Sequence, residues 1–464
     1  MDLTSENYRL TGNMEEHLRL QTETIDFLSQ VPWSSFTRLV ALELCGSEIR
    51  ELPIIGSLRI LKCQDCSSLK TIPSMEKLER LYCSRSPVSS VGDFPCLTHL
   101  YCQNMPICEL PPLPNLEVLD CSHCGNLTEI SGFPKLSVLI CNMSGVKTIA
   151  DLPQIHNIES TDSKLQVLSG IDTVQILKCA RSLNLRKIPK LKNLHVLDAS
   201  LTSIKVLYTY PLMTRLRLDD CFKLVHLDSQ PRLVDLSMSH CTRLKSIPKM
   251  KNLSFLYSQD CISLQSIGDM EKINTLNVSR CTSLVAIGKM PVLSLFDCTY
   301  CTSLEVMPHF PELRSLWCRN CDKLRFIPEM RKLGYLEAMN CRSLLSIISS
   351  QKLYISDLSG CLLLQTILLP KAIHAKCDNC FALEYVSANV NVSNAKHCKN
   401  LKGSPDYDPD TFHFLYALQK FWKKVVFLRK LLRFVKSSTF VEIYFTPGCR
   451  GEWVASKHWS KNLQ

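Results

Sequence analysis

Apolar and polar positions follow one phrase along this chain, repeated every eighteen to twenty residues. Leu58, Leu61, Cys63, Cys66, Leu69, Ile72 and Pro73 make one copy, and Leu313, Leu316, Cys318, Cys321, Leu324, Ile327 and Pro328 make another. In the second copy Leu316 and Cys318 stand two apart, the spacing of a β-strand with one buried face. Three residues later comes a small residue, and its longest regular run is Cys221, Cys241, Cys261, Cys281, Cys301, Cys321, Cys341 and Cys361. A fixed period of this length marks a solenoid rather than an ordinary globular domain. Each strand is too short to stand alone, so neighbouring copies must stack in parallel and pair their backbones.

The small residue occupies a ladder position that ends each strand. It recurs nineteen times, at Ser47, Cys66, Ser86, Met105, Cys124, Ser144, Ser163, Ser182 and Thr202, from Cys221 to Cys361, and at Cys380 and Cys398. Cys, Ser and Thr fit a tight inward turn, and their thiol or hydroxyl can reach backbone groups left unpaired there. Met105 is the misfit and predicts a local adjustment in its unit. Beyond the ladder two more apolar residues turn inward, and a proline then blocks any helix. The convex side is therefore expected to be extended and poor in helix. Nineteen strands about 4.8 Å apart would give a concave strip on the order of 90 Å along its arc.

A solenoid exposes its core at both ends unless something covers them. Residues 1–35 read as an N-terminal helical cap, with a helix from Glu15 to Leu28 that presents Leu18, Ile25 and Leu28. Residues 36–402 form the repeat array. Residues 403–464 read as a basic cap and tail: turn residues follow Lys402, a long helix runs from Thr411 to Lys436, and Thr439 to Phe445 is strand-like.

Composition narrows the functional classes. Twenty-five cysteines is an odd number, and they follow the repeat rather than any pairing scheme. Met1 to Arg9 is polar and lacks the apolar stretch of a signal peptide, and no uncharged apolar run is long enough for a transmembrane helix. Free thiols in an intracellular setting, cytoplasmic or nuclear, are the expectation. The formal charge is +11, but residues 399–464 hold twelve Lys and Arg against five Asp and Glu, so the array itself is close to balanced. That argues against nucleic acid as a partner, because backbone tracking needs a basic stripe along the array.

Five C-x-x-C pairs stand at Cys63/Cys66, Cys121/Cys124, Cys298/Cys301, Cys318/Cys321 and Cys377/Cys380. Two neighbouring pairs can hold zinc. Here, however, the first Cys of each pair holds an inward strand position and the second holds the ladder. Buried packing accounts for both, and neither a metal nor a cofactor is expected. The sequence has no G-x-S-x-G, H-E-x-x-H or P-loop pattern, and enzymatic activity is not expected.

Side chains two and four residues before the ladder point into the concavity, where the core does not dictate them. One cluster at or near these positions comprises Arg80, Tyr82, Arg85, His99 and Tyr101, and a second comprises Phe255, Tyr257, Tyr300, Trp317, Arg319 and Tyr335. Tyr, Trp and Arg dominate the energetics of protein interfaces, which makes Arg80, Tyr82, Tyr101 and the second cluster the candidate partner-binding residues. Between the clusters lies an acidic stretch with Glu159, Asp162, Asp198, Asp219, Asp220 and Asp235. In the tail, Lys420, Lys423, Lys424, Arg429, Lys430 and Arg433 alternate with apolar residues. Such a helix can cap the array or lie on a membrane surface.

The phrase L-x-x-L-x-[CL]-x-x-C-x-x-L-x-x-I-P resembles the leucine-rich repeat in a short form with a cysteine ladder, over about residues 36–402. The resemblance implies an α/β solenoid: a curved array with a parallel concave sheet, an extended convex side and helical caps. It also implies protein binding without catalysis. The dense C-x-x-C and I-P-x-M pattern, with the F-V-E-I-Y-F-T-P-G-C-R-G segment from Phe440 to Gly451, is similar to repeat proteins of marseillevirus-type giant DNA viruses. A scaffold holding a protein ligand is the leading expectation. The alternatives are a receptor or effector subunit of a host ubiquitin or signalling complex, and membrane-surface association through the basic helix.

Overall fold

The structure, a computed structural model, describes residues 37–349 apart from Pro53, most of 353–401, and short strands at His17–Arg19, Ile443–Pro447 and Trp453–Lys457. Once per unit a strand of two or three residues pairs in parallel with its successor, as Leu295–Asp297, Ser315–Trp317 and Tyr335–Glu337 do. With His17–Arg19 at one edge and Tyr354–Ile355 at the other, these strands make an 18-stranded sheet. The last two units stand apart, with Ala375–Lys376 paired to Val392–Asn394 in a sheet of their own. In each strand the central residue is buried and its neighbours face out. Leu316 is fully buried between the half-buried Ser315 and Trp317.

The strands are short because the backbone turns left-handed just before every ladder residue. Asp65, Asn104, Asp220, Asn320 and Asn340 there have φ between 57° and 60°, a conformation that Asn and Asp tolerate better than most residues. The turn points the ladder side chain inward, as the sequence pattern requires. Among the described ladder residues all but Cys398 are buried, Met105 included. The buried thiols donate backwards: Cys321 Sγ lies 3.1 Å from the Cys298 carbonyl, Cys341 Sγ 2.9 Å from that of Cys318, and Cys361 Sγ 3.1 Å from that of Ala338.

The opposite side is extended, as expected, and more regular than the prolines alone require. Short parallel strands pair there too, for instance Ser246–Ile247, Ser266–Ile267 and Ala286–Ile287. Pro248 follows the first of these and Gly268 and Gly288 the other two. The chains approach so closely that a Cβ on Gly288 would lie 2.5 Å from the carbonyl carbon of Gly268. This second layer lapses after Met105: no strand of it lies between Ser90–Val91 and Glu129–Ser131. The layer lapses again after Ser182, between Val167–Leu168 and Val206–Leu207, although Ser182 does donate a hydrogen bond, so the loss of the donor at Met105 does not by itself explain the departure.

The N-terminal expectation needs correction. Where a helix was expected from Glu15 to Leu28, His17–Arg19 is a strand in register with Ala41–Glu43. The first unit presents a row of unpaired N–H and C=O groups at the sheet edge, and a strand satisfies them where a helix would not. The rest of the proposed N-terminal cap, and the helix expected from Thr411 to Lys436, lie outside the described residues. Residues 408–464 form a separate compact unit. In it Ile443–Pro447 pairs antiparallel with Trp453–Lys457, a strand that overlaps the end of the segment Thr439 to Phe445 read as strand-like.

Leu201 holds the left-handed position at φ 55°, where a leucine costs on the order of 1 kcal/mol. Leu201→Asn is expected to raise stability by about 0.5–1 kcal/mol, read as a higher urea midpoint at unchanged slope. Asn320→Leu should lower it by a similar amount. A midpoint that moves the other way in either variant would show that side-chain packing, not backbone strain, decides these turns.

Candidate functional site on the open face of the main sheet

The outward side chains of the main sheet fall into columns, because parallel pairing sets each residue beside its counterpart one unit on. The first cluster is assembled as expected. Arg80 lies beside His99, and Tyr82 beside Tyr101. The two tyrosine rings stack at 4.7 Å between centroids and 5° between planes. That is the spacing of the strands themselves, so each ring covers a face of the other and cross-strand packing accounts for the pair. Burial, and then Arg80, hold the His99 imidazole below its ordinary range, and burial pushes Tyr101 up.

The second cluster is brought together only in part. Trp317 and Tyr335 lie on adjacent strands with ring centroids 5.7 Å apart and planes tilted by 47°. Phe255 and Tyr257 share one strand, separated from Trp317 by the strands Thr275–Asn277 and Leu295–Asp297. At about 4.8 Å per strand that is roughly 14 Å. Leu295, absent from the sequence-based candidates, stands between them and is 37% exposed. Tyr300 is not on a strand: it holds the left-handed turn before Cys301 with φ 62°. It lines an open polar groove of about 470 Å³ with Arg280, Asp297 and Arg319.

The charges of the face are mostly paired one unit apart. Glu159 meets Lys178 at 2.8 Å, Arg215 meets Asp235 at 3.7 Å, and Arg319 meets Glu337 at 3.5 Å. A further column lies one residue before the ladder. Arg85, Asp162, Asp220 and Tyr300, all named from the sequence, belong to it and were not separated there from the strand residues. In it Arg85 forks onto Asp65 at 2.6 and 2.7 Å, and His240 lies between Asp220 at 3.2 Å and Asp260 at 3.5 Å. The signal was present as opposite charges one period apart. Asp219 takes the hydroxyl of Ser237 at 2.7 Å and the N–H of Ser239 at 2.8 Å, and Asp198 takes the hydroxyl of Ser200 at 2.8 Å. Much of the acidic stretch is therefore engaged within the face. Half-exposed pairs of this kind stabilise by only about 0–1 kcal/mol each, so their role is to match neighbouring units. Lys420, Lys423, Lys424, Arg429, Lys430 and Arg433 lie outside the described residues.

The cysteines sort by column. In each C-x-x-C pair both thiols are buried, one behind the strand and one on the ladder. Among the described residues no group of three or more His, Cys, Asp or Glu is placed to hold a metal ion. Burial pushes the Cys221 thiol up to about 11 and the Cys141 thiol up to about 12, and it raises Cys83 and Cys179 further. These are protonated packing groups. Cys96 and Cys108 are exposed, and Cys45 is half-buried with its thiol 2.8 Å from Gln64 Oε1.

No protein-family profile matches the sequence, and no curated protein matches it. Among solved structures it is similar to YopM from Yersinia enterocolitica, at 17% identity over 80% of this chain and 83% of that one, with a TM-score of 0.43. It is also similar to the functional domain of InlJ from Listeria monocytogenes, which includes a cysteine ladder, at 15% identity over 70% and 76%, with a TM-score of 0.24. A leucine-rich cell surface protein from Faecalibacterium prausnitzii is similar at 14% identity over 80% and 95%, with a TM-score of 0.31.

The raised thiols make stability depend on alkaline pH with a definite sign. A thiol whose folded value lies above its unfolded value stabilises fully below about pH 9 and loses that contribution as pH rises toward 11 or 12. Each such thiol costs up to about 1.4 kcal/mol per pH unit in that window. The urea midpoint should be flat from pH 7 to 8 and fall steeply above 9. A midpoint unchanged to pH 10.5 would contradict the burial of these groups.

Proposed function

We propose that this leucine-rich-repeat solenoid is a non-catalytic scaffold that holds a protein ligand on the open face of its main sheet, between Phe255 and Tyr335. One observation carries the reading. Over five consecutive strands the face presents Phe255 at 40%, Tyr257 at 36% and Leu295 at 37% exposure, followed by the tilted pair Trp317 and Tyr335. The core does not require large apolar side chains at these outward positions, and water does not favour them. Aromatic anchors in a polar surround are the composition of an interface centre. The tyrosines of the first cluster, by contrast, are already stacked on each other.

We place the protein inside the cell, as its free thiols suggest. The ladder works through S–H donors, and an oxidising compartment would put them at risk. The likeness of the repeat to proteins of giant DNA viruses would make that a host cell, with the receptor or effector role as one form the scaffold could take.

A photo-crosslinking residue at position 335 should trap a partner in the native cell, and one at Lys245 on the opposite side should not. The double variant Trp317→Ala, Tyr257→Ala should keep the far-UV spectrum and bind that partner at least about tenfold more weakly. Equal trapping at the two positions, or unchanged affinity, would rule this face out.

A further inference from the structure

Trp317 sits in an electrostatic setting unlike that of the other outward aromatics. Its counterparts one unit before and one unit after are Asp297 and Glu337. The indole is thus flanked on both sides by carboxylates in the same column. Diagonal to it are Leu295 and Tyr335, and beside it on its own strand is the small Ser315. The 47° tilt between Trp317 and Tyr335 prevents the rings from covering each other as Tyr82 and Tyr101 do.

The two carboxylates are incompletely partnered. Asp297 Oδ1 accepts the Thr299 N–H at 2.9 Å, and Asp297 makes no ion pair with any described residue. The Glu337 side chain is only 18% exposed, and its ion pair with Arg319 is long, at 3.5 Å. A purely apolar ligand over Trp317 would take both groups further from water without pairing them, which is costly. An anionic ligand would be repelled. A cation meets the negative faces of the rings and the carboxylates together.

The spacing selects among cations. Asp297 and Glu337 stand two strand intervals apart, about 9.6 Å between backbones. An ammonium is a compact point charge that can serve one carboxylate at a time. A guanidinium is planar, stacks on an indole and donates from opposite edges. We propose that Trp317, Tyr335, Asp297 and Glu337 form a socket for an arginine side chain presented by the protein partner. The inference rests on the scaffold reading above and names what the partner brings to this point of the face.

The test uses the full chain with 15N-labelled tryptophan, the Trp317 indole N–H being assigned through Trp317→Phe. N-acetyl-arginine amide should shift that resonance in a saturable way, and N-acetyl-citrulline amide, its neutral isostere, should not. Asp297→Asn, which keeps an acceptor for the Thr299 N–H, and Glu337→Gln should each weaken the arginine response at least tenfold. A citrulline response equal to that of arginine, or undiminished binding in both variants, would overturn the socket. Equal binding of N-acetyl-lysine amide would overturn the assignment to arginine. Crosslinking at position 335 reports on the scaffold independently. Trapping without an arginine response would remove the socket and leave the scaffold, whereas an arginine response without trapping would do the reverse.

Discussion

Where each unit leaves the main sheet, the chain turns inward within three residues, and the carbonyl at the start of that turn must find its partners away from water. The Cys298 carbonyl accepts the backbone N–H of Cys301 at 3.0 Å and the thiol of Cys321, one unit on, at 3.1 Å. The Val278 carbonyl does the same, with Cys281 N–H at 3.1 Å and the Cys301 thiol at 3.2 Å. A thiol is a weak donor, so each bond contributes little. Its value is that the site favours something small, buried and able to donate, with the buried Met105 as the exception. Ser86 and Ser182 donate to the preceding unit in the same way, at 3.0 and 3.1 Å. Ser144 and Thr202 instead turn their hydroxyls to their own units, at 2.6 and 2.7 Å.

Uniform pitch follows from that constraint, and it governs the face that meets solvent. Side chains in one column lie a strand spacing apart and cannot avoid each other, so like charges in adjacent units would repel. The observed columns alternate instead, with Glu43 beside Lys62, Asp65 beside Arg85, and Asp260 beside Arg280. Electrostatic matching and tyrosine stacking account for much of what the face displays. The neighbourhood of Trp317 stands out because neither accounts for it: the ring has carboxylates on both sides and an aromatic neighbour that does not stack.

The core was legible in the sequence because a fixed period with small and large apolar residues in constant phase admits few three-dimensional solutions. Leu316, Cys318 and Cys321 were placed correctly by spacing alone, and Met105 was identified as a disturbance. The candidate site was legible only by column. Spacing put Trp317 and Tyr335 on the open face but could not show their tilt, because register fixes which backbones are neighbours and not how the rings turn. Tyr300 was grouped with the strand residues because its left-handed turn leaves no mark in residue type. The N-terminal strand was missed for a different reason. Glu15 to Leu28 has helical periodicity, and the demand of an open sheet edge at His17–Arg19 is not a property of that segment's own sequence.

The left-handed turns carry a further consequence for function. Pitch forces φ near 60° at this position whatever the residue, and Gly46, Asn320, Asn340 and Gly360 accept it readily. Arg85, Arg181 and Arg280 do not, but each meets an aspartate one unit earlier, Asp65, Asp162 and Asp260 respectively. Tyr300 adopts φ 62°, is 46% exposed, and has no hydrogen bond, ion pair or ring contact of its side chain among the described residues to offset the strain. Met143 at φ 52° and Leu201 at φ 55° hold the same turn without a polar partner, so the strain at Tyr300 comes from the pitch, and what sets Tyr300 apart is its place beside the groove. Tyr300 lies in the groove bordered by Arg280, Asp297 and Arg319, and Asp297 is also a neighbour of Trp317. The turn at Tyr300 and the carboxylate-flanked indole therefore share Asp297 as a neighbour, so the groove and the aromatic face are contiguous.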